Sequence, residues 1–96
     1  MFLITIRARP AETNEYYGQA GGAYVNAYIN FNDPWGAQKL AQLYLQDAGW
    51  LPEETENVEK ITGEPPEEVR EHVEQAQRDG YAIVYNCWPV GAEDDD

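Results

Sequence analysis

The stretch that decides the fold is GGAYVNAYINFNDPWG, residues 21–36. Side chains of an extended chain point alternately to opposite faces, so this alternation predicts a strand over residues 23–32 with two unlike faces. One face is apolar, as a core requires, whereas the other repeats tyrosine and asparagine, although asparagine is depleted in strands. The apolar set is Val25, Ala27, Ile29 and Phe31, and the opposite set is Tyr24, Asn26, Tyr28 and Asn30.

A helix follows this strand directly. Asn32 or Asp33 is suited to cap it, and Pro34 fits the first helical position, where its missing N–H has no partner to lose. Apolar residues then recur at helical spacing until Gly49, which provides the stop signal. On the other side of the strand, residues 2–9 alternate like a strand, and the connection over residues 10–22 is long for a hairpin.

The second half of the chain predicts three further elements. A short polar strand is expected at residues 57–62, at a sheet edge, and a surface helix at residues 66–79, ended by Gly80. The last strand, residues 81–88, is the most apolar and is expected at the centre of the sheet. The resulting order ββαβαβ predicts an α+β fold, a two-layer sandwich of a four-stranded mixed sheet with two helices on one face.

Length and composition indicate one domain. The 96 residues predict a single α+β domain over residues 1–90 and an acidic disordered tail over residues 91–96. The chain has one cysteine, no apolar run long enough to span a bilayer, and no basic region ahead of its first apolar residues. We therefore expect a soluble cytoplasmic protein.

The charge is strongly negative and unevenly distributed. The net charge is −12, and residues 51–96 carry 14 of the 18 acidic side chains. Nucleic acid is not expected as a partner, because phosphate contacts by basic side chains supply most of such affinity, and an anionic membrane surface is disfavoured for the same reason. A basic protein partner is compatible with this charge, which also serves solubility.

The inventory of catalytic groups is small. The chain has no serine, and its one histidine, His72, and one cysteine, Cys87, are the raw material of a nucleophile–base pair. His72 lies in an acidic helix, and Cys87 lies in an apolar strand that predicts a buried, inert thiol. Glu68 and His72 share a helical face but lack further zinc ligands. We predict no catalytic residue, no metal site and no cofactor.

The Tyr/Asn side of the second strand is the first candidate site. If the apolar side faces the helices, this side is open, and arginine and aromatic side chains of the neighbouring strands can join it, among them Arg9 and Trp88. Rigid rings with amide and guanidinium groups suit recognition, whereas cross-strand tyrosine pairs on an ordinary solvated face would only stabilise the sheet. The candidate residues are Arg7, Tyr24, Asn26, Tyr28, Asn30 and Asn86.

The glycine-rich connection is the second candidate. Its glycines precede a strand, whereas a phosphate cradle needs a glycine loop that opens a helix. We expect a non-enzymatic protein-interaction module that uses the open Tyr/Asn face, the acidic second half of the chain, or both. Its partner would be another protein, a basic one being allowed, or a second copy of itself. The alternative is a small-molecule binder or enzyme that uses the Tyr/Asn/Arg face together with loop residues Tyr16, Tyr17, Gly18, Gly21 and Gly22.

Overall fold

The computed structural model describes residues 1–91. Its four strands form one sheet in the order β3-β1-β2-β4, and every neighbouring pair is antiparallel. A 3₁₀ turn, Glu67–Val69, precedes the second helix. The elements are β1 (Phe2–Pro10), β2 (Ala20–Ile29), α1 (Pro34–Asp47), β3 (Trp50–Lys60), α2 (Arg70–Asp79) and β4 (Tyr81–Pro89).

The predicted fold class and element order are confirmed, but two details of the sheet are wrong. The sheet is not mixed, because β1 lies between β2 and β3 and is antiparallel to both. The last strand is not central, because β4 pairs with β2 at the edge. Its apolar composition arises because Ile83 packs toward the α1 side of the sheet and Ala82 toward the α2 side.

The first face of the sheet is covered along its length by α1. Asp33, one of the two predicted caps, caps this helix by accepting a 2.7 Å hydrogen bond from the backbone N–H of Gly36. The chain leaves β2 at Ile29 and enters β3 at Trp50, at opposite ends of the sheet, so α1 spans the distance between them. The fully buried large side chains of this core are Ile4, Ile6, Val25, Ile29 and Leu45.

The second face is covered only at one end. Lys60 ends β3 beside Phe2, and Tyr81 starts β4 beside Ile29, so the chain over residues 61–80 crosses one end of the sheet. The expectation of two helices on one face is wrong: α2 packs on the face opposite α1, which makes three layers. The cluster beneath α2 contains Leu3, Tyr28, Val73, Ala76 and Ala82.

Two local expectations are also wrong. Phe31 lies beyond the end of β2 with 45% of its surface exposed, so it is not a core residue. The third strand begins at Trp50, directly after Gly49, and not at residue 57. Within the described part of the chain, no helix is long and apolar enough to cross a membrane. Residues 92–96 of the expected disordered tail lie outside the described residues.

Candidate functional site

The uncovered end of the second face is the candidate site. Because residues 61–80 cross only the other end of the sheet, a group of side chains from β1, β2 and β4 has no helix above it. Four of them form the open half-face, and two more lie at its border with α2. The open half-face is Arg7, Tyr24, Asn86 and Trp88, and the border residues are Thr5 and Asn26.

The centre of the open half-face is a ring pair with a cation above it. The rings of Tyr24 and Trp88 lie 5.1 Å apart at an interplanar angle of 52°. The guanidinium carbon of Arg7 lies 5.8 Å from the centroid of the Trp88 ring, within the range of a cation–π contact. These contacts restrict the rotamers of the two rings, so any binding at this surface would cost less side-chain entropy.

Gly22 makes room for this arrangement. It lies opposite Trp88 in the β2–β4 pairing, and a Cβ atom at Gly22 would sit 2.4 Å from a carbon of the Trp88 ring. The same atom would sit 2.9 Å from the backbone oxygen of Ala8. The indole can therefore approach the backbone of β2 this closely only because residue 22 has no side chain.

Polar groups surround the rings. The Thr5 hydroxyl donates to the Asn26 side-chain oxygen at 2.9 Å, and the Asn86 amide donates to the backbone oxygen of Tyr24 at 3.5 Å. The Nε atom of Arg7 is buried and has no hydrogen-bond partner within residues 1–91. The site therefore offers aromatic surface, amide groups and a cationic donor, which can form stacking contacts and hydrogen bonds.

Not all of the predicted face is open. Tyr28 is only 4% exposed, because it lies under α2 and stacks on His72 at a centroid distance of 5.5 Å. Burial, and then the charge of Glu59, raise the pKa of its hydroxyl above the ordinary value of 10.0. Asn30 follows the same end of β2, where its backbone N–H donates to Gly80. Tyr28 is therefore not on the open surface with Tyr24, whereas Asn30 is exposed but lies beyond the end of β2, away from Tyr24.

The predicted loop residues do not join the open half-face as one group. The connection between β1 and β2 is residues 11–19, and Asn14 holds it by donating to the backbone oxygen of Gly49 at 2.9 Å. Tyr16, Tyr17 and Gly18 are exposed in this loop, whereas Gly21 and Gly22 belong to β2. Gly18 has a positive φ of 85°, which suits a tight turn.

The histidine and the cysteine are far apart in the fold. His72 contacts Tyr28 on the α2 side, whereas Cys87 pairs with Ala23, whose side chain belongs to the α1 side. The expected burial of Cys87 is wrong, because its side chain is exposed on an edge strand. Within residues 1–91, no group of three or more potential metal ligands lies close enough to hold an ion.

Two features were missed from the sequence. Trp88 was named only as a residue that could join the face, yet its ring contacts both Tyr24 and Arg7. A pocket of about 390 Å³ also lies between the sheet and residues 61–69, lined by Leu3, Tyr28, Ile61 and Val69 among others. The alternation of β4 places Trp88 on the same side as Asn86, which is the signal that could have identified it.

Comparison of the chain with protein-family models, with curated proteins and with solved structures finds no match.

Proposed function

We propose that this protein is a non-enzymatic interaction module that binds a protein partner through the open half-face. The observation that carries the proposal is the Tyr24–Trp88–Arg7 arrangement on a part of the sheet that no helix covers. Tyrosine, tryptophan and arginine are the residue types that most often dominate binding energy at protein interfaces.

The charge of the chain supports a basic partner. The net charge is −12, and the one ion pair among residues 1–91 joins Arg78 and Asp79 at 3.5 Å on the surface. Most carboxylates are therefore free to attract a positively charged protein, which raises the association rate more than the final affinity. The proposal includes a cytoplasmic location, because a single free thiol suits a reducing compartment.

The test removes one aromatic ring from the open half-face. Tyr24→Ala takes away a ring that is 45% exposed, and Phe31→Ala takes away an equally exposed ring that lies two residues beyond the end of β2. Immobilised protein is used to capture partners from cell extract, and the captured proteins are quantified. We expect Tyr24→Ala to lose the partner at least tenfold relative to Phe31→Ala, which corresponds to about 1.4 kcal/mol.

Equal capture by the two variants would contradict the proposed surface. If both variants lost the captured proteins equally, the capture would be nonspecific adsorption to exposed aromatic rings, which also contradicts the proposed surface.

One observation favours the alternative function of small-molecule binding. The pocket beside Tyr28 has a volume of about 390 Å³, within the range of ligand sites, and it is partly apolar. A thermal-shift survey of metabolites tests it, with Val69→Trp as the variant that fills the pocket. A ligand that raises the melting temperature of the wild type but not of this variant would support the alternative.

A further inference from the structure

The two edges of the sheet differ in how they are protected from pairing with another strand. An exposed edge presents unpaired backbone N–H and C=O groups, and proteins discourage pairing there with charged side chains, prolines and bulges. Within residues 1–91, β3 and β4 each pair with only one strand, so each has one open edge.

The β3 edge carries all three of these features: charged side chains, a proline and bulges. Its pairing with β1 is interrupted by two register shifts, and Pro52 lies within the strand. Each of its four glutamates is exposed, so a second strand approaching this edge would meet a row of negative charges. These glutamates are Glu53, Glu54, Glu56 and Glu59.

The β4 edge has almost none of these protective features. Its nine residues, YAIVYNCWP, contain no charged side chain, and its one proline is the last residue. Its pairing with β2 is regular from Gly22 to Ile29. Tyr81 and Tyr85 remain 38% and 36% exposed on the strand. A long, uncharged, apolar edge is where strand pairing is expected.

We propose that β4 pairs with β4 of a second copy of this chain, antiparallel about a two-fold axis. The structure supports a copy over a basic peptide, because β4 offers no carboxylate to attract lysine or arginine. It also keeps like charges apart, since the strand order places β3 three strands away from β4, about 14 Å at the usual strand spacing. The result is one eight-stranded antiparallel sheet with a glutamate-rich β3 at each outer edge.

Sedimentation velocity and amide hydrogen exchange test the dimer together. The wild-type chain is studied up to about 1 mM protein, in low salt and in about 0.5 M NaCl, which screens the repulsion between two copies of charge −12. We expect a dimer that salt strengthens. We also expect amide protection that rises with protein concentration in β4 and stays constant in β3, which serves as the internal control.

Two charge-matched variants locate the contact. Cys87→Lys adds one positive charge at the exposed β4 edge, and Asn57→Lys adds the same charge at an exposed position of β3. We expect at least tenfold weaker dimerisation for Cys87→Lys and no change for Asn57→Lys.

A chain that stays monomeric throughout overturns the proposal, and so does a dimer whose β4 amides gain no protection. Urea melts show whether both variants are folded. If Cys87→Lys is unfolded, the amide exchange data on the wild type decide whether the dimer forms through β4. A monomer would leave the open half-face as it is, so this experiment and the capture experiment fail independently.

Discussion

Two tyrosines on one strand provide a direct test of the half-covered face. Tyr24 and Tyr28 lie four residues apart on the same side of β2, but Tyr28 is 4% exposed under α2 and Tyr24 is 45% exposed. Removing a buried aromatic ring from a packed core costs about 3–5 kcal/mol. We expect about 3 kcal/mol for Tyr28→Ala, because the ring loses its contacts with His72 and the α2 cluster.

The expected loss for Tyr24→Ala is about 1 kcal/mol, because its ring keeps much of its water contact and has one aromatic partner, Trp88. Urea unfolding followed by circular dichroism measures both. With a denaturant slope of about 1.5 kcal/mol/M, the midpoint should fall by about 2 M for Tyr28→Ala and by less than about 1 M for Tyr24→Ala. Equal losses, or a larger loss for Tyr24→Ala, would refute the placement of α2.

Three further predictions concern packing, ionisation and the loop. Gly22→Ala should lower the free energy of unfolding by about 1–3 kcal/mol and shift the indole signal of Trp88 in NMR spectra, because the new methyl group overlaps the ring. Burial raises the pKa of Tyr28 and Tyr85 above 10.0. The hydroxyls of the unfolded chain therefore ionise at lower pH than those of the folded protein, and the free energy of unfolding should fall as pH rises beyond about 10. Tyr28→Phe should make this fall smaller. Absorbance titration of the folded protein should show both hydroxyls ionising at higher pH than a free tyrosine. Asn14→Ala should lose about 1 kcal/mol and speed amide exchange across residues 11–19, because its side chain holds the loop to Gly49.

The sequence was most informative where one local signal decides the outcome. The alternation in β2 identified Val25, Ala27 and Ile29 as core residues, and all three are fully buried. Pro34 and the two candidate caps before it, Asn32 and Asp33, likewise predicted the start of α1, because capping depends on residues adjacent in the chain. Such features need no knowledge of the rest of the fold.

The face that α2 covers could not be read in this way. Its apolar stripe, Val69, Val73 and Ala76, can pack on either side of a sheet, and β4 is apolar toward both sides. Parity also treats Tyr24 and Tyr28 alike. The two tyrosines differ because β3 ends beside Phe2, so residues 61–80 cross the end of the sheet that holds Tyr28 and leave Tyr24 uncovered. This difference depends on the strand order. The extent of the candidate site was therefore unpredictable until the pairing was known.

The strand order also affects which part of the molecule unfolds first. The central hairpin β1–β2 carries an outer strand on each side, and each outer strand is adjoined by its own helix, α1 for β3 and α2 for β4. The apolar cluster beneath α2 is much smaller than the one beneath α1, so α2 should detach first, while β4 stays in the sheet through its pairing with β2 and the stacking of Tyr81 on Tyr44 of α1. Folding would then proceed from the sheet outward, with α2 as the last element to dock.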